Sequence, residues 1–489
     1  MSLLDFIADD SPRTLFPLEA PTIIIGRGQQ QLMKYIDDEV FATTDYHPTF
    51  VQAPIAFALK NRWHTRRVHV LDPVATLYLY NFVRTFSSLF QAPAKNALKR
   101  RFGYHLKSRS VISAADEHQE FRRRILEFKK TYAYFAKLDI ANCFASFYHH
   151  DLVSALKPSV GEQAANRFGT FLRQLNGGRS ISCFPQGYFP TKAIGNLFLG
   201  FIEQSVELQS PAVIRYVDDV FIFSNSRSQL EADVFRLQVI LSEKNLYLNA
   251  AKTDIGDTKS SMQLPKTDEI RKSLLQKRET AVAGAYDDEP EPVHLLEDEF
   301  RYLSSLISGT DVSEEDVELA LALIIDEEHA ERLARLVFER YPHLIKNLYA
   351  HLSNAVYEGD TLWDLVGSVA ADREAHEFSL FWCVRIVLRL YDWDKQSAVM
   401  LARLYDHPKA TDTVRAAVLE CRFNSFGLVE RKEAALRNAG ANLLAISAAA
   451  GLRELEPGRR NQLYKYAASS SPMMYQVTSA LQRAPGARE

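Results

Sequence analysis

Residues 214–223 read Ile-Arg-Tyr-Val-Asp-Asp-Val-Phe-Ile-Phe, two apolar runs on either side of adjacent carboxylates. β-Branched and aromatic residues dominate both runs, so the pattern predicts a strand, a tight turn and a second strand. Asp218 and Asp219 then lie at the tip of a hairpin, where a divalent cation would relieve their mutual repulsion. The alternative is an ordinary hairpin whose polar turn contains two aspartates, because such turns are common.

A second strand that ends in a carboxylate points to the same chemistry. The segment Phe135–Phe144, FAKLDIANCF, predicts a buried strand that ends at Asp139 and leads into a helix. A strand-end aspartate beside a pair at a hairpin tip is the arrangement of a two-metal phosphoryl-transfer site. Asp139, Asp218 and Asp219 are therefore the candidate catalytic and metal-binding residues.

The two segments together resemble the palm of a reverse transcriptase, whose hallmark is Tyr-x-Asp-Asp preceded by a strand-borne aspartate. The resemblance implies deoxynucleoside triphosphates as substrates and two Mg²⁺ ions held by these carboxylates, with the backbone carbonyl of Ile140 as a further metal ligand. It also implies that Phe144, five residues after Asp139, stacks against the sugar and excludes a 2′-hydroxyl. A packed core phenylalanine is the alternative for Phe144.

Two later segments resemble further motifs of this family. In FPQGYFPT (residues 184–191), the resemblance places Gln186 near the primer end or the base, and Gly187 lets backbone approach the nucleotide closely. In KNLYLNAAKT (residues 244–253), it places Lys252 near the leaving pyrophosphate, where an ammonium group donates a proton or screens charge. A solvated surface lysine is the alternative.

A basic segment precedes the palm motifs. Residues 60–73, KNRWHTRRVHVLDP, read as a basic turn feeding a strand. In the family, such a strand of the fingers covers the triphosphate, and a guanidinium grips phosphate oxygens in a fixed fork. The resemblance therefore assigns nucleotide binding to Arg66 or Arg67, and a surface strand with exposed arginines is the alternative.

Composition limits the other classes of protein. The chain has 489 residues, 47% hydrophobic and 24% charged, as in globular proteins, and no apolar run approaches the roughly 18–20 residues that span a bilayer. Its acidic N-terminus and four scattered cysteines predict a reduced, cytoplasmic protein. The net charge of −3 is low for a nucleic-acid enzyme. Residues 95–130 are strongly basic, which predicts either a nucleic-acid groove or a solvated helix face.

The predicted fold is α+β, with a helical region after the palm. We expect fingers and palm over residues 1–257, a linker over 258–294 and an all-α domain over 295–489. The helical spacing suggests HEAT-like repeats, with a plain helical bundle as the alternative. Near the N-terminus, Ile23–Gly28 (IIIGRG) predicts a short strand that ends in a turn.

A palm followed by a long helical extension resembles the abortive-infection reverse transcriptases of bacterial phage defence, of the AbiK-like or prophage-encoded kind. The resemblance implies a cytoplasmic homo-oligomer that binds single-stranded nucleic acid and makes DNA without a template. It also implies priming from a protein hydroxyl, so that the DNA product stays covalently attached. Tyr35 and Tyr46 are candidate primers by position, and an ordinary packed tyrosine is the alternative for each.

Two other functions compete with this interpretation. One is a template-copying RNA-directed DNA polymerase of the retron or diversity-generating type. The other is a nucleic-acid-binding interaction protein whose palm is a relic. The three intact carboxylates argue against the relic, because keeping like charges together costs stability.

Overall fold

A computed structural model describes most of the chain. The described residues are 1–42, 48–180, 184–258, 269–284, 294–309, 311–355, 359–422, 427–438 and 440–483. They form two compact units, each described by itself below. The sheet unit contains residues 1–6 and 79–292, and the helical unit contains residues 7–78 and 293–489.

Short strands occur in the first half of the chain. The strands are β1 (Ile55–Leu59), β2 (Thr65–His69), β3 (Lys99–Phe102), β4 (Leu106–Lys107), β5 (Ser110–Val111), β6 (Tyr134–Asp139), β7 (Ala212–Tyr216), β8 (Asp219–Ser224) and β9 (Asp254–Asp257).

Helices make up most of the remaining structure. The helices are α1 (Leu3–Asp10), α2 (Ala20–Tyr35), α3 (Pro73–Thr85), α4 (Ala114–Thr131), α5 (His149–Val160), α6 (Glu162–Leu175), α7 (Phe189–Phe198), α8 (Phe201–Gln204), α9 (Arg227–Ser242), α10 (Glu269–Gly284), α11 (Glu297–Ser308), α12 (Glu314–Leu323), α13 (Glu327–Arg340), α14 (Ile345–Ala355), α15 (Asp360–Ala371), α16 (Glu377–Leu390), α17 (Lys395–Asp406), α18 (Asp412–Leu419), α19 (Leu428–Arg437), α20 (Leu443–Gly451), α21 (Pro457–Ala468) and α22 (Pro472–Gln482).

The sheet unit is built on a five-stranded mixed sheet with the order β3-β7-β8-β6-β9. Strand β3 runs parallel to β7, and the other neighbours are antiparallel. Strands β7 and β8 form the hairpin that the sequence predicts, and β6 lies beside β8. The two strands that carry the candidate carboxylates are therefore neighbours in the sheet.

Helix α4 covers one face of this sheet. Its N-terminus is capped by Ser113, whose hydroxyl accepts the amide N–H of Asp116. Phe121 and Phe128 of this helix pack in one cluster with Phe221 and Phe223 of β8. The alternate β8 residues are buried as well. A strand covered on both faces explains the continuous apolar run that follows the two aspartates.

The segment predicted to be a linker contains a helix of the sheet unit. Helix α10 packs against α4. The guanidinium of Arg278 in α10 lies near Arg122 of α4 and contributes to lowering the Arg122 pKa, after burial.

In the helical unit, α2 packs against α20 and α22. The predicted strand at Ile23–Gly28 is wrong, because these residues form the middle of α2. A Cβ atom at Gly28 would lie 2.6 Å from the Cβ of Ala480, so glycine is needed here for α2 to approach α22. The helix forms because distant helices cover its apolar face, which outweighs the β propensity of three consecutive isoleucines.

The region after residue 293 is mostly helical, as predicted, but no regular repeat is established. Within the described ranges, no helix is both long enough and apolar enough to cross a membrane. Cys143, Cys383 and Cys421 are buried, and Cys183 lies outside the described residues.

Candidate active site

The candidate carboxylates meet at one end of the β6–β8 pair. Asp139, the last residue of β6, lies directly opposite Asp219, the first residue of β8. The amide of Ile140 donates to the carbonyl of Asp218 at 3.2 Å, which ties the end of β6 to the hairpin tip. The sheet register therefore brings together three acids that are far apart in sequence.

The charges of these acids interact. Burial raises the pKa of the Asp219 carboxyl, and the neighbouring carboxylates of Asp218 and Asp139 raise it further. The two neighbouring carboxylates disfavour ionisation of Asp219, which is the electrostatic condition that a bound cation relieves.

A cation from the protein already contacts this cluster. The Lys252 ammonium donates to Asp139 Oδ1 at 3.0 Å, and the Asn249 side-chain amide donates to Asp139 Oδ2 at 3.0 Å. The backbone amide of Asn249 also donates to the Asp139 carbonyl at 2.7 Å. The hydrogen bond to Asp139 raises the pKa of Lys252, which is largely exposed. Lys252 therefore lies beside Asp139.

The carboxylate oxygens of the three aspartates suit Mg²⁺, because such oxygens are the ligands that hard divalent cations prefer. In the part of the chain that the structure describes, however, no group of three His, Cys, Asp or Glu side chains is placed to hold one metal ion. Both Asp139 carboxylate oxygens accept hydrogen bonds from Lys252 and Asn249 instead. A metal ion at Asp139 would therefore share these oxygens with Lys252 and Asn249 or displace the Lys252 ammonium.

The hairpin tip has an unusual backbone conformation. Tyr216 pairs with Asp219, which leaves a two-residue loop of Val217 and Asp218. Val217 has φ +57°, a conformation that β-branched residues rarely adopt and that glycine usually supplies at the first loop position of such turns. Strain of this kind persists only where the surroundings hold it in place.

The buried guanidinium of Arg215 holds this turn. Its Nη1 donates to the carbonyl of Val217 at 2.7 Å and to Asn196 Oδ1 at 2.7 Å. Its Nη2 and Nε donate to the two carboxylate oxygens of Glu203 at 2.8 and 2.9 Å, and Nη2 also reaches the Asn196 carbonyl at 3.0 Å. All five N–H donors of the guanidinium are satisfied.

Asn196 extends this network to the edge of the sheet. Its side-chain amide donates to the carbonyls of Phe102 and Gly103 at 3.0 and 2.6 Å. The sequence analysis did not identify Arg215, Glu203 or Asn196. The available signal was an arginine inside the otherwise apolar run Ala212–Tyr216, since a buried strand arginine requires an acidic partner.

Phe144 lies in a 3₁₀ turn, Cys143–Ala145, soon after the end of β6, and is half-buried. Its ring lies nearly parallel to that of Phe184, with centroids 6.1 Å apart and an interplanar angle of 7°. A Cβ atom at Gly195 would come within 2.4 Å of the Phe144 ring, so Gly195 fixes where the ring can lie. Phe144 is thus partly packed and partly accessible.

The Pro-Gln-Gly segment forms the turn before α7. Gln186 and Gly187 are half-buried, and Gly187 has φ +107°, which requires glycine. Thr191 lies inside α7, where its buried hydroxyl has no hydrogen-bond partner among the described residues.

The remaining candidates belong to the helical unit. Arg66 and Arg67 lie on β2, in a hairpin with β1, and Arg66 is exposed. Tyr35 lies in α2 with its hydroxyl buried and without a hydrogen-bond partner in the described part of the chain. Burial raises the Tyr35 pKa. Tyr46 lies outside the described residues.

Residues 84–303 match the model of a protein family described as reverse transcriptase (RNA-dependent DNA polymerase). No curated protein matches the chain significantly.

Among solved structures, apo telomerase from Candida tropicalis is similar at 10% identity and a TM-score of 0.35, over 90% of this chain and 72% of that chain. Telomerase from Candida albicans in complex with a fragment of telomeric RNA is similar at 12% identity and a TM-score of 0.30, over 77% of this chain and 64% of that chain.

Proposed function

From the reverse transcriptase domain that this chain carries in residues 84–303, we propose that the protein makes DNA from deoxynucleoside triphosphates at Asp139, Asp218 and Asp219. Reverse transcriptases are RNA-directed DNA polymerases and therefore nucleotidyltransferases. The observation that carries the proposal is the pairing of Asp139 with Asp219 across β6 and β8, next to Asp218.

The three carboxylates are proposed to hold two Mg²⁺ ions together with the Ile140 carbonyl. When bound, such ions activate the attacking hydroxyl and neutralise charge on the leaving group. Arg215 keeps the hairpin tip in place through Val217. Lys252 is proposed to leave Asp139 and donate to the pyrophosphate, because its ammonium is exposed and already beside the acids.

Other residues are proposed to select and position the nucleotide. Phe144 presents a ring held by Phe184 and Gly195, which suits a steric check on the sugar. Gln186 and Gly187 form the turn proposed to contact the primer end or base. We assign triphosphate binding to Arg66 or Arg67 from the resemblance of their strand to the family's fingers.

Substitution of the carboxylates tests the chemistry. The double variant Asp218→Asn and Asp219→Asn should lose nucleotide incorporation by at least about 100-fold, because the ligands proposed to hold the charge-neutralising metal ions are gone. Incorporation of labelled nucleotides is the measurement. Asp257→Asn is the matched control, because Asp257 is exposed and pairs with Tyr134 at the opposite end of β6. Full activity in the double variant, with a normal fold, would refute the assignment.

The finer proposal is an abortive-infection enzyme of phage defence, a cytoplasmic homo-oligomer that makes DNA without a template and primes it from its own hydroxyl group. The resemblance of the whole plan, palm then helical extension, supports it. Tyr46 and Tyr35 are the proposed primers, although Tyr35 would have to become exposed.

Product analysis separates this proposal from its alternatives. The purified protein is supplied with deoxynucleotides, with and without an RNA template, and the product is sequenced. A product unrelated to the template and attached to a tyrosine peptide, identified by mass spectrometry, is the expected result. A free product complementary to the template would instead indicate a template-copying polymerase of the retron or diversity-generating type.

A further inference from the structure

A cavity of about 620 Å³ lies within the helical unit, lined by the start of α2 and by the C-terminal helices. Its size is that of sites for drug-sized ligands. Four arginines line it, Arg27, Arg385, Arg422 and Arg453. None of these residues has a part in the polymerase chemistry proposed above.

The cavity has an excess of positive charge. Two carboxylates, Glu19 and Glu454, are among its lining residues. Arg385 pairs with Glu19 at 3.1 Å, whereas the contact between Arg453 and Glu454 is long, at 3.9 Å. The four guanidinium groups keep their protons and outnumber the two lining carboxylates by two. The Glu420 carboxyl, which interacts with Arg385 from outside the lining, offsets at most one of these charges. An anion would neutralise this excess.

Arg385 has an unused donor at this site. Its Nη1 donates to Glu19, but its Nε is buried and has no hydrogen-bond partner among the described residues. A buried donor is normally satisfied by protein, water or ligand. The adjacent donors of a guanidinium match the oxygens of a phosphate group.

The backbone amides at the start of α2 are already occupied. The amides of Glu19 and Ala20 both donate to the buried carboxylate of Glu420, at 2.7 and 3.0 Å. Recognition of an anion here therefore rests on the arginine side chains. The same cavity is lined by apolar groups and by the half-buried ring of Tyr349, a surface that suits a planar base.

We propose that this cavity binds a free nucleotide, with its phosphates on the arginines and its base against Tyr349. The proposal goes beyond the polymerase function and does not depend on it, because every residue invoked belongs to the helical unit. It predicts a second nucleotide site that needs no divalent cation.

Calorimetric titration of the full-length protein with ATP, in the presence of EDTA, tests this site. Arg422→Gln removes an exposed arginine of the cavity and should weaken ATP binding by about tenfold to a hundredfold, the equivalent of one hydrogen bond to a charged group. Arg385→Lys keeps the charge but removes the unused Nε, and should also weaken binding. Arg335→Gln, an exposed arginine of α13 outside the cavity lining, is the matched control and should bind as the wild type does.

Titrations with adenosine and with pyrophosphate, compared with ATP, show whether the cavity recognises the base, the phosphates or both. Adenosine should bind much more weakly than ATP because it lacks phosphates, and pyrophosphate should bind more weakly because it lacks the base. Equal binding of adenosine and ATP, unchanged ATP binding in both cavity variants, or no binding at millimolar ATP would overturn the proposal. Pyrophosphate as tight as ATP, or a thymidine oligonucleotide that binds more tightly than ATP and loses affinity in the same variants, would overturn the assignment to a free nucleotide.

Discussion

Two arginines, the fully buried Arg215 of the sheet unit and the half-buried Arg385 of the helical unit, are paired with a glutamate in different ways. Arg215 in the sheet unit is completely buried, and all five of its N–H donors have acceptors. Arg385 in the helical unit pairs with Glu19 through Nη1 but leaves its buried Nε without a partner in the described residues. The first network is closed, and the second is open toward a cavity.

The difference teaches what each network can do. A closed network has no capacity left for a ligand, so Arg215 can act only on the chain itself, and it does so by holding the carbonyl of Val217. The network of Arg385 carries an unused donor and lines a cavity with an excess of positive charge, which makes it receptive to anions. The closed network of Arg215 therefore indicates a role in positioning the hairpin, and the open network of Arg385 indicates a role in binding a ligand.

Breaking the closed network of Arg215 should lower the free energy of unfolding more than any other change considered below. Arg215→Met leaves the Glu203 carboxylate buried without its partner, which typically costs about 3–5 kcal/mol of unfolding free energy. Urea denaturation measures this loss. Arg227→Ala is the control, because Arg227 forms an exposed pair with Glu231 whose removal should cost less than about 1 kcal/mol.

A second substitution separates stability from positioning. In Arg215→Met combined with Glu203→Met, neither member of the buried pair is left without the other, so much of the stability should return. Nucleotide incorporation should remain low, because the Val217 carbonyl still lacks its donor. Recovery of both properties together would show that Arg215 has no positioning role.

The sequence revealed the strands of the site better than the contacts that hold them. The apolar runs around Asp139 and around the Asp218–Asp219 pair predicted the strands and the hairpin, because strand periodicity and burial are local signals. The partners of Arg215, Glu203 and Asn196, lie on other elements, 12 and 19 residues away, and no local sequence pattern predicts these contacts.

The helical unit was harder to predict for the same reason. The isoleucines of α2 favour a strand by propensity, but contacts with residues 400 or more positions later, such as Glu420 and Ala480, stabilise a helix instead. The arginine cavity gathers residues from both ends of the chain. Neither its charge balance nor its shape follows from any single stretch of sequence.

Glu420, whose carboxyl accepts the amides of Glu19 and Ala20 and interacts with Arg385, makes stability beside the open network depend on pH. Burial raises its pKa to about 7, so the folded state holds this proton more tightly than the unfolded state does, with a reference value of 4.5. The resulting stabilisation is complete below about pH 4.5 and is lost as the pH rises through about 7. At 1.36 kcal/mol per pH unit, the loss is on the order of 3 kcal/mol.

Replacing the titrating group should remove this dependence. Glu420→Gln should unfold with a flatter pH profile than the wild type between about pH 5 and pH 8, as measured by urea denaturation. Ser447→Ala is the matched control, because it removes one hydrogen bond to the same carboxylate, of 3.2 Å, without removing the titrating group. A Glu420→Gln profile with the slope of the wild type would show that Glu420 does not titrate in this range.

The smallest expected effect concerns the strained turn that Arg215 holds. Val217 is buried and has a left-handed backbone conformation. Replacing it with alanine or with glycine loses buried apolar surface in both cases, but only glycine also relieves the backbone strain. Val217→Gly should therefore be more stable than Val217→Ala by about 1 kcal/mol. Val220 in β8, equally buried but extended, should show the reverse order by about 0.5–1 kcal/mol. If urea denaturation shows the alanine variant to be more stable than the glycine variant at both positions, the turn stores no strain. The Arg215 network would then not be holding a strained conformation.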